Sequence, residues 1–164
     1  MPHCMKTIFK FFALAIVAIS ICSCNDEYQS TPQIAVSEVI YVTHLDGSRD
    51  TTYFGDTLLV GDTARVEMRI YGVSHPLISA EVTSEPSALA CGFECDSASF
   101  KEFFESDTRL EEGYLHFQPY VMAMRIVYRY IAKKEGDYTV TFKANSQAKE
   151  PYSHAEGERK QVIR

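Results

Sequence analysis

No tryptophan occurs in this 164-residue chain, so the commonest aromatic platform for a sugar ring is missing. No apolar run reaches the roughly 20 residues that a helix needs to span a bilayer. No cluster of lysines and arginines exists either. The balance is 16 basic to 22 acidic residues, a net charge of −6, which argues against nucleic acid and against docking on an anionic lipid surface through a charged face. The usual signatures of chemistry are also absent. There is no His-Glu-x-x-His, no pair of Cys-x-x-Cys motifs, no Gly-x-Ser-x-Gly elbow and no phosphate-cradling Gly-x-x-x-x-Gly-Lys. Asp46-Gly47-Ser48-Arg49-Asp50 lacks the alternating acids and distal glutamate of an EF-hand loop. Adjacent acids such as Glu111-Glu112, just before Gly113, read as a solvated turn and not as a glycosidase pair. The reading is of a non-enzyme with no cofactor and no metal.

What is present begins at the N-terminus. Lys6 and Lys10 precede an apolar run from Phe11 to Ile19, the charged and hydrophobic regions of a secretory signal. Met1 and Met5 are both candidate starts, since Met5-Lys6-Thr7 opens a signal of ordinary length. The run ends in Ile21-Cys22-Ser23-Cys24, which resembles the lipobox of bacterial lipoproteins. The resemblance implies cleavage after residue 23, lipidation of Cys24, and attachment to a membrane through that lipid. Several acyl chains, at about 0.8 kcal/mol per buried methylene, hold a protein stably where a single chain is marginal. Both signal lysines and no acid precede Cys24, so the mature body has a net charge of −8.

Residues 24–32, the lipidated cysteine and a polar tether, carry Asp26-Glu27. An acidic pair at this place resembles the signal that sends Bacteroidetes-type lipoproteins to the outer face of the outer membrane. The alternative is a plain solvated linker, which leaves the periplasmic face open. The expected location is the outer membrane, with the cell surface as the favoured side.

Residues 33–164 read as one domain whose dominant period is two, the mark of half-buried strands. Ala64, Val66, Met68 and Ile70 alternate with Arg65, Glu67 and Arg69, and Tyr138, Val140 and Phe142 alternate with polar residues. Further strands are expected at 34–43, 57–60, 77–83, 114–117, 120–131 and 160–164, with a loop over 145–159. Turn residues punctuate them, so an all-β antiparallel sandwich of seven or eight strands is predicted. A short helix is expected over 99–105, from the spacing of Ser99 and Glu102 and of Phe100, Phe103 and Phe104. Glu135-Gly136-Asp137-Tyr138, opening an alternating strand, resembles strand F of immunoglobulin-like domains, where the tyrosine hydroxyl bonds back to the backbone at a corner. The inter-sheet Cys…Trp…Cys hallmark of antibody domains is lacking.

Two cysteines remain in the body, Cys91 and Cys95. In an oxidising compartment a disulfide closing this short loop is the first expectation, with free or buried thiols the next and redox or metal work the last. The histidines His44, His75, His116 and His154 show no paired spacing, and His116 is expected on a solvent face. Binding remains as the function. Tyr53-Phe54 is a candidate contact for a sugar or a protein, against packing beneath its own loop, and Tyr41, Tyr71, Tyr114 and Tyr152 are further surface candidates. The leading reading is a lipid-anchored binding or assembly module of the cell envelope. An accessory protein of a glycan-capture, pilus or adhesin system is the second.

Overall fold

The computed structural model describes residues 28–86 and 89–164, with only the backbone of Leu89 and Ala90. The signal segment, Cys24 and Asp26-Glu27 lie outside the described residues.

Eleven strands form two sheets: β1 (Gln33–Val36), β2 (Val39–Thr43), β3 (Arg49–Tyr53), β4 (Thr57–Leu58), β5 (Thr63–Tyr71), β6 (Leu77–Glu85), β7 (Leu89–Glu94), β8 (Tyr114–His116), β9 (Ala123–Ala132), β10 (Gly136–Ser146) and β11 (His154–Ile163). The first sheet has the order β3-β2-β5-β9-β7, with β1 also on β5, and the second runs β4-β11-β10-β6-β8. Neighbours β1/β2-β5-β9-β7 reproduce the A-B-E-D sheet of an immunoglobulin-like sandwich, and β6-β10-β11 its C-F-G sheet. Pairing is antiparallel except where β4 lies parallel to the end of β11. The predicted fold class is therefore the observed one, with more strands than expected. Among the described residues no helix is long and apolar enough to cross a membrane.

The period-two reading assigns the inner faces correctly. Ala64, Val66, Met68 and Ile70 of β5, and Tyr138, Val140 and Phe142 of β10, are all buried. Between the sheets Tyr128 stacks on Tyr130 at 5.4 Å and meets Phe142 edge-on at 5.5 Å. These rings fill the centre that a tryptophan occupies in antibody domains. At the corner, the Tyr138 hydroxyl donates to the carbonyl of Lys134 at 2.8 Å, the bond that the resemblance to strand F implies.

Several boundaries differ. The single strand expected over 34–43 is two, because Ser37 and Glu38 bulge between β1 and β2. The Ser37 N–H still reaches the Glu67 carbonyl at 2.9 Å. β9 begins at Ala123, three residues late, leaving Tyr120 and Met122 exposed. β11 begins at His154 and not at residue 160, so most of the expected loop is hairpin, with Ala155, Gly157 and Arg159 opposite Ala144, Phe142 and Val140. Its early residues are polar because this stretch is a sheet edge. The edge carries charge, and the apolar alternation that would reveal a strand is weak.

β3 is invisible for the same reason. It is the outer arm of a hairpin over Asp46-Gly47, and four of its five residues are exposed. The helix, α1, spans Ser97–Phe103. Its cap is Asp96, whose carboxylate accepts from the N–H groups of Ala98 and Ser99 at 2.9 Å each. An aspartate satisfies these otherwise unpartnered amides as well as the expected Ser99 would, and it starts the helix two residues earlier.

Candidate functional site

The outer face of the first sheet carries exposed tyrosines beside charged side chains. Strand register sets their neighbours. One row across the sheet runs Thr51, Tyr41, Arg65, Arg129, Gly92, and the next pairs Tyr53 with Val39 and Glu67 with Val127 and Glu94. Tyr41 and Tyr53 are each 59% exposed and lie diagonally across the β2–β3 hairpin on this face. Diagonal cross-strand positions lie about 7 to 8 Å apart, within reach of a common ligand.

Four arginines of the face, Arg65, Arg69, Arg125 and Arg129, are held by three glutamates. Arg65 Nε donates to Glu94 at 2.7 Å, and Arg129 to Glu111 at 2.8 Å. Glu67 takes both Arg125 and Arg69, the latter at 2.8 Å. The hydrogen bond from Arg125, then that from Arg69, lowers the Glu67 pKa below the ordinary carboxylate range. A glycine explains how Glu111 reaches Arg129. The 3₁₀ turn Leu110–Glu112 lies directly over Gly92, where a Cβ would come within 3.1 Å of the Leu110 carbonyl.

A groove of about 600 Å³ opens at the end of this face, beneath α1. It exists because β7 stops at Glu94 and the chain turns off into the helix, whereas β9 continues. β7 covers Val127 to Ala132, and β5 pairs with β9 from Ala123. Phe103, Phe104, Met124 and Ile126 provide its apolar surface, and Glu67, Glu94, Asp96 and Arg125 its polar one.

The structure separates the residues nominated from sequence. Tyr53 is displayed on the outer face, but Phe54 packs against the hydrophobic core. The pair does not form one contact surface, and Tyr41 takes the place expected of Phe54. Adjacent residues of an extended chain point oppositely, so this division was available from the sequence once β3 is recognised. Tyr71 and Tyr152 are partly exposed. Tyr114 lies under the Arg109 guanidinium at 4.8 Å.

Cys91 and Cys95 are free thiols, which corrects the expected disulfide. Cys91 lies within β7 and Cys95 just beyond its end, not on one short loop. The missed strand is the cause of the mistaken pairing. Burial pushes the Cys91 thiol up to about 11, and burial, then the charge of Asp96, raises that of Cys95.

The histidines are dispersed. His44 Nδ1 lies 3.0 Å from the buried Asp62 carboxylate, and His116 Nδ1 2.7 Å from Asp107 on the surface. Among the described residues no three His, Cys, Asp or Glu side chains converge as metal ligands would.

No protein-family model matches the chain, and no curated protein matches it. Among solved structures it is similar to a DUF4466 family protein from Parabacteroides merdae, at 15% identity and a TM-score of 0.47, over 80% of this chain and 44% of that one. It is also similar to the ASH/PapD-like domain 7 of human CEP192, at 9% identity and a TM-score of 0.34, over 83% of this chain and 85% of that one. A family 123 glycoside hydrolase from Clostridium perfringens shows 10% identity and a TM-score of 0.35, over 82% of this chain and 27% of its own. The chain thus spans less than half the length of the Parabacteroides protein.

Proposed function

We propose that this chain is a non-enzymatic binding module of the bacterial outer membrane, held there by lipid on Cys24 and presenting the outer face of its first sheet. The observation that carries the reading is the meeting of Tyr41 and Tyr53, exposed on one face, with a row of arginines on an otherwise acidic body. Tyrosines supply contact area at low entropic cost, and guanidinium groups add directional donors, so the combination suits recognition. The lipobox-like Ile21-Cys22-Ser23-Cys24 and the polar tether support the anchoring, and Asp26-Glu27 supports the outer face of the membrane.

The test is protease shaving of intact cells carrying wild type or Cys24→Ala. Wild type is expected to fractionate with the outer membrane and to be cleaved from outside, and Cys24→Ala to lose the membrane fraction. Protection of wild type until the membrane is opened would move the module to the periplasmic side. An unchanged Cys24→Ala fraction would overturn the anchor.

The second reading, an accessory glycan-binding or pilus- or adhesin-associated lipoprotein, is favoured by the same diagonal pair, since two phenol rings beside Arg65 can stack on successive sugars. Retention on a glycan array that Tyr41→Ala/Tyr53→Ala abolishes would support it, and silence of the wild type on the array would remove it.

A further inference from the structure

The backbone at the start of β9 is paired on one side. β5 pairs with residues 123–131 and β7 with residues 127–132, which leaves Ala123 to Ile126 as an open sheet edge, with Met124, Arg125 and Ile126 lining the groove. Parity identifies the free groups. The Ala132 N–H bonds to Asp62, and the Met122 carbonyl accepts from Gly72, both on the β5 side, so even-numbered residues of β9 point to β5 and odd-numbered ones away. The N–H and C=O groups of Ala123 and Arg125 therefore point to the open side of the strand, with Arg125 at the groove.

The exposed edges of β3 and of the first half of β11 carry Arg49, Asp50, Glu156, Glu158 and Lys160, the charges by which proteins discourage edge pairing. Here the side chains are Ala123, Met124 and Ile126, and Arg125 is drawn aside by Glu67. The apolar wall continues into Phe103 and Phe104. The adjoining segment from Glu94 to Glu112 holds seven acids against Lys101 and Arg109, and with Glu94 and Glu111 held by Arg65 and Arg129 it keeps a negative balance.

We propose that this edge is a strand-addition site that takes an extended segment of a partner protein, with apolar residues alternating and lysine or arginine at its ends. Main-chain bonds to Ala123 and Arg125 would continue the line of β7 for about four residues, roughly 14 Å of strand. Alternate apolar side chains would enter the groove beside Met124 and Phe103, and the basic ends would meet the acidic segment. The proposal rests on reading the chain as a binding module but not on Tyr41 and Tyr53.

The test uses the full chain in detergent and a fluorescein-labelled peptide of alternating valine and serine with lysine ends, beside the same peptide with glutamate ends. Binding of the lysine peptide is expected to be at least tenfold tighter, with new hydrogen-exchange protection at the Ala123 and Arg125 amides. Ala123→Pro removes an edge N–H at the first residue of the strand, where proline is tolerated, and Met124→Lys guards the groove. Each is expected to weaken binding tenfold or more with cooperative unfolding retained, while Tyr41→Ala/Tyr53→Ala leaves it unchanged. No binding of the lysine peptide, equal binding of both peptides, or indifference to Ala123→Pro would overturn the site. Concentration-dependent dimers abolished by Ala123→Pro would make the occupant a second copy and also overturn it.

Discussion

Tyr128 and Tyr130 are stacked, fully buried neighbours in one strand, yet removing their hydroxyls should have opposite consequences. Tyr130 donates to Gln161 Oε1 at 2.8 Å, and Gln161 Nε2 donates in turn to the Asp56 carbonyl at 2.6 Å. Gln161 is 1% exposed, so no water replaces a lost partner. Tyr130→Phe leaves a buried amide oxygen without a donor and should cost about 1 to 3 kcal/mol. For a domain of this size that lowers Tm by roughly 3 to 10 °C. The buried Tyr128 hydroxyl has only the weakly polar Cys91 thiol beside it and no oxygen or nitrogen partner. A thiol offsets little of its desolvation, so Tyr128→Phe should be neutral or stabilising by up to about 1 kcal/mol. Urea unfolding of the two variants, of Gln161→Leu and of Tyr130→Phe/Gln161→Leu decides the matter. The double variant removes both members of the pair and should cost less than the two single changes added together, by about 1 kcal/mol or more. Equal losses for Tyr128→Phe and Tyr130→Phe, or strict additivity in the cycle, would refute the reasoning.

Alkaline pH should unfold the domain progressively. The folded pKa values of Cys91, Tyr128 and Tyr130 are raised by burial, so the native state holds protons that the unfolded chain releases. Stability is then full below about pH 9, falls as pH rises through Cys91's folded value of about 11, and falls further beyond pH 10 from the tyrosines, as urea midpoints across pH 8 to 11 would show. A thiol reagent should modify Cys95 in the native protein and Cys91 only on unfolding, and a reductant should leave the urea midpoint unchanged; a lowered midpoint would restore the disulfide. Val140→Asp should abolish cooperative unfolding. It places a carboxylate at a position with 0% exposure, at a cost of several kcal/mol against a typical total of about 5 to 15. A clean transition near the wild-type midpoint would contradict the register of β10.

Strands were legible where burial wrote a pattern. β5 and β10 lie in the middle of their sheets with one face on the core, and their alternation fixed both existence and facing. β3 and the first half of β11 are edges whose side chains meet water on most sides, so selection for solubility erased the period that burial imposes. β7 was hidden differently. Its run Leu89-Ala90-Cys91-Gly92-Phe93-Glu94 holds a glycine required by the turn lying over it and two of the small residues that suggest a loop. Reading it as a loop produced the disulfide expectation. One missed element thus yielded two errors.

The site was less legible than the fold, because its parts are joined by register alone. Tyr41 and Tyr53 are twelve positions apart in sequence, and only the pairing of Val39 with Tyr53 puts them on a common face. Arg65, Arg129 and Glu111 come from three separate elements. The open edge at Ala123 to Ile126 is further removed still. It depends on β7 ending at Glu94 while β9 runs on, a difference in length between two paired strands. Composition and periodicity describe how a strand faces the core, but they do not carry information about which neighbour is missing. A binding surface made from an unpaired edge is therefore invisible to any reading that takes one strand at a time, and it emerges only when every backbone N–H and C=O is assigned a partner.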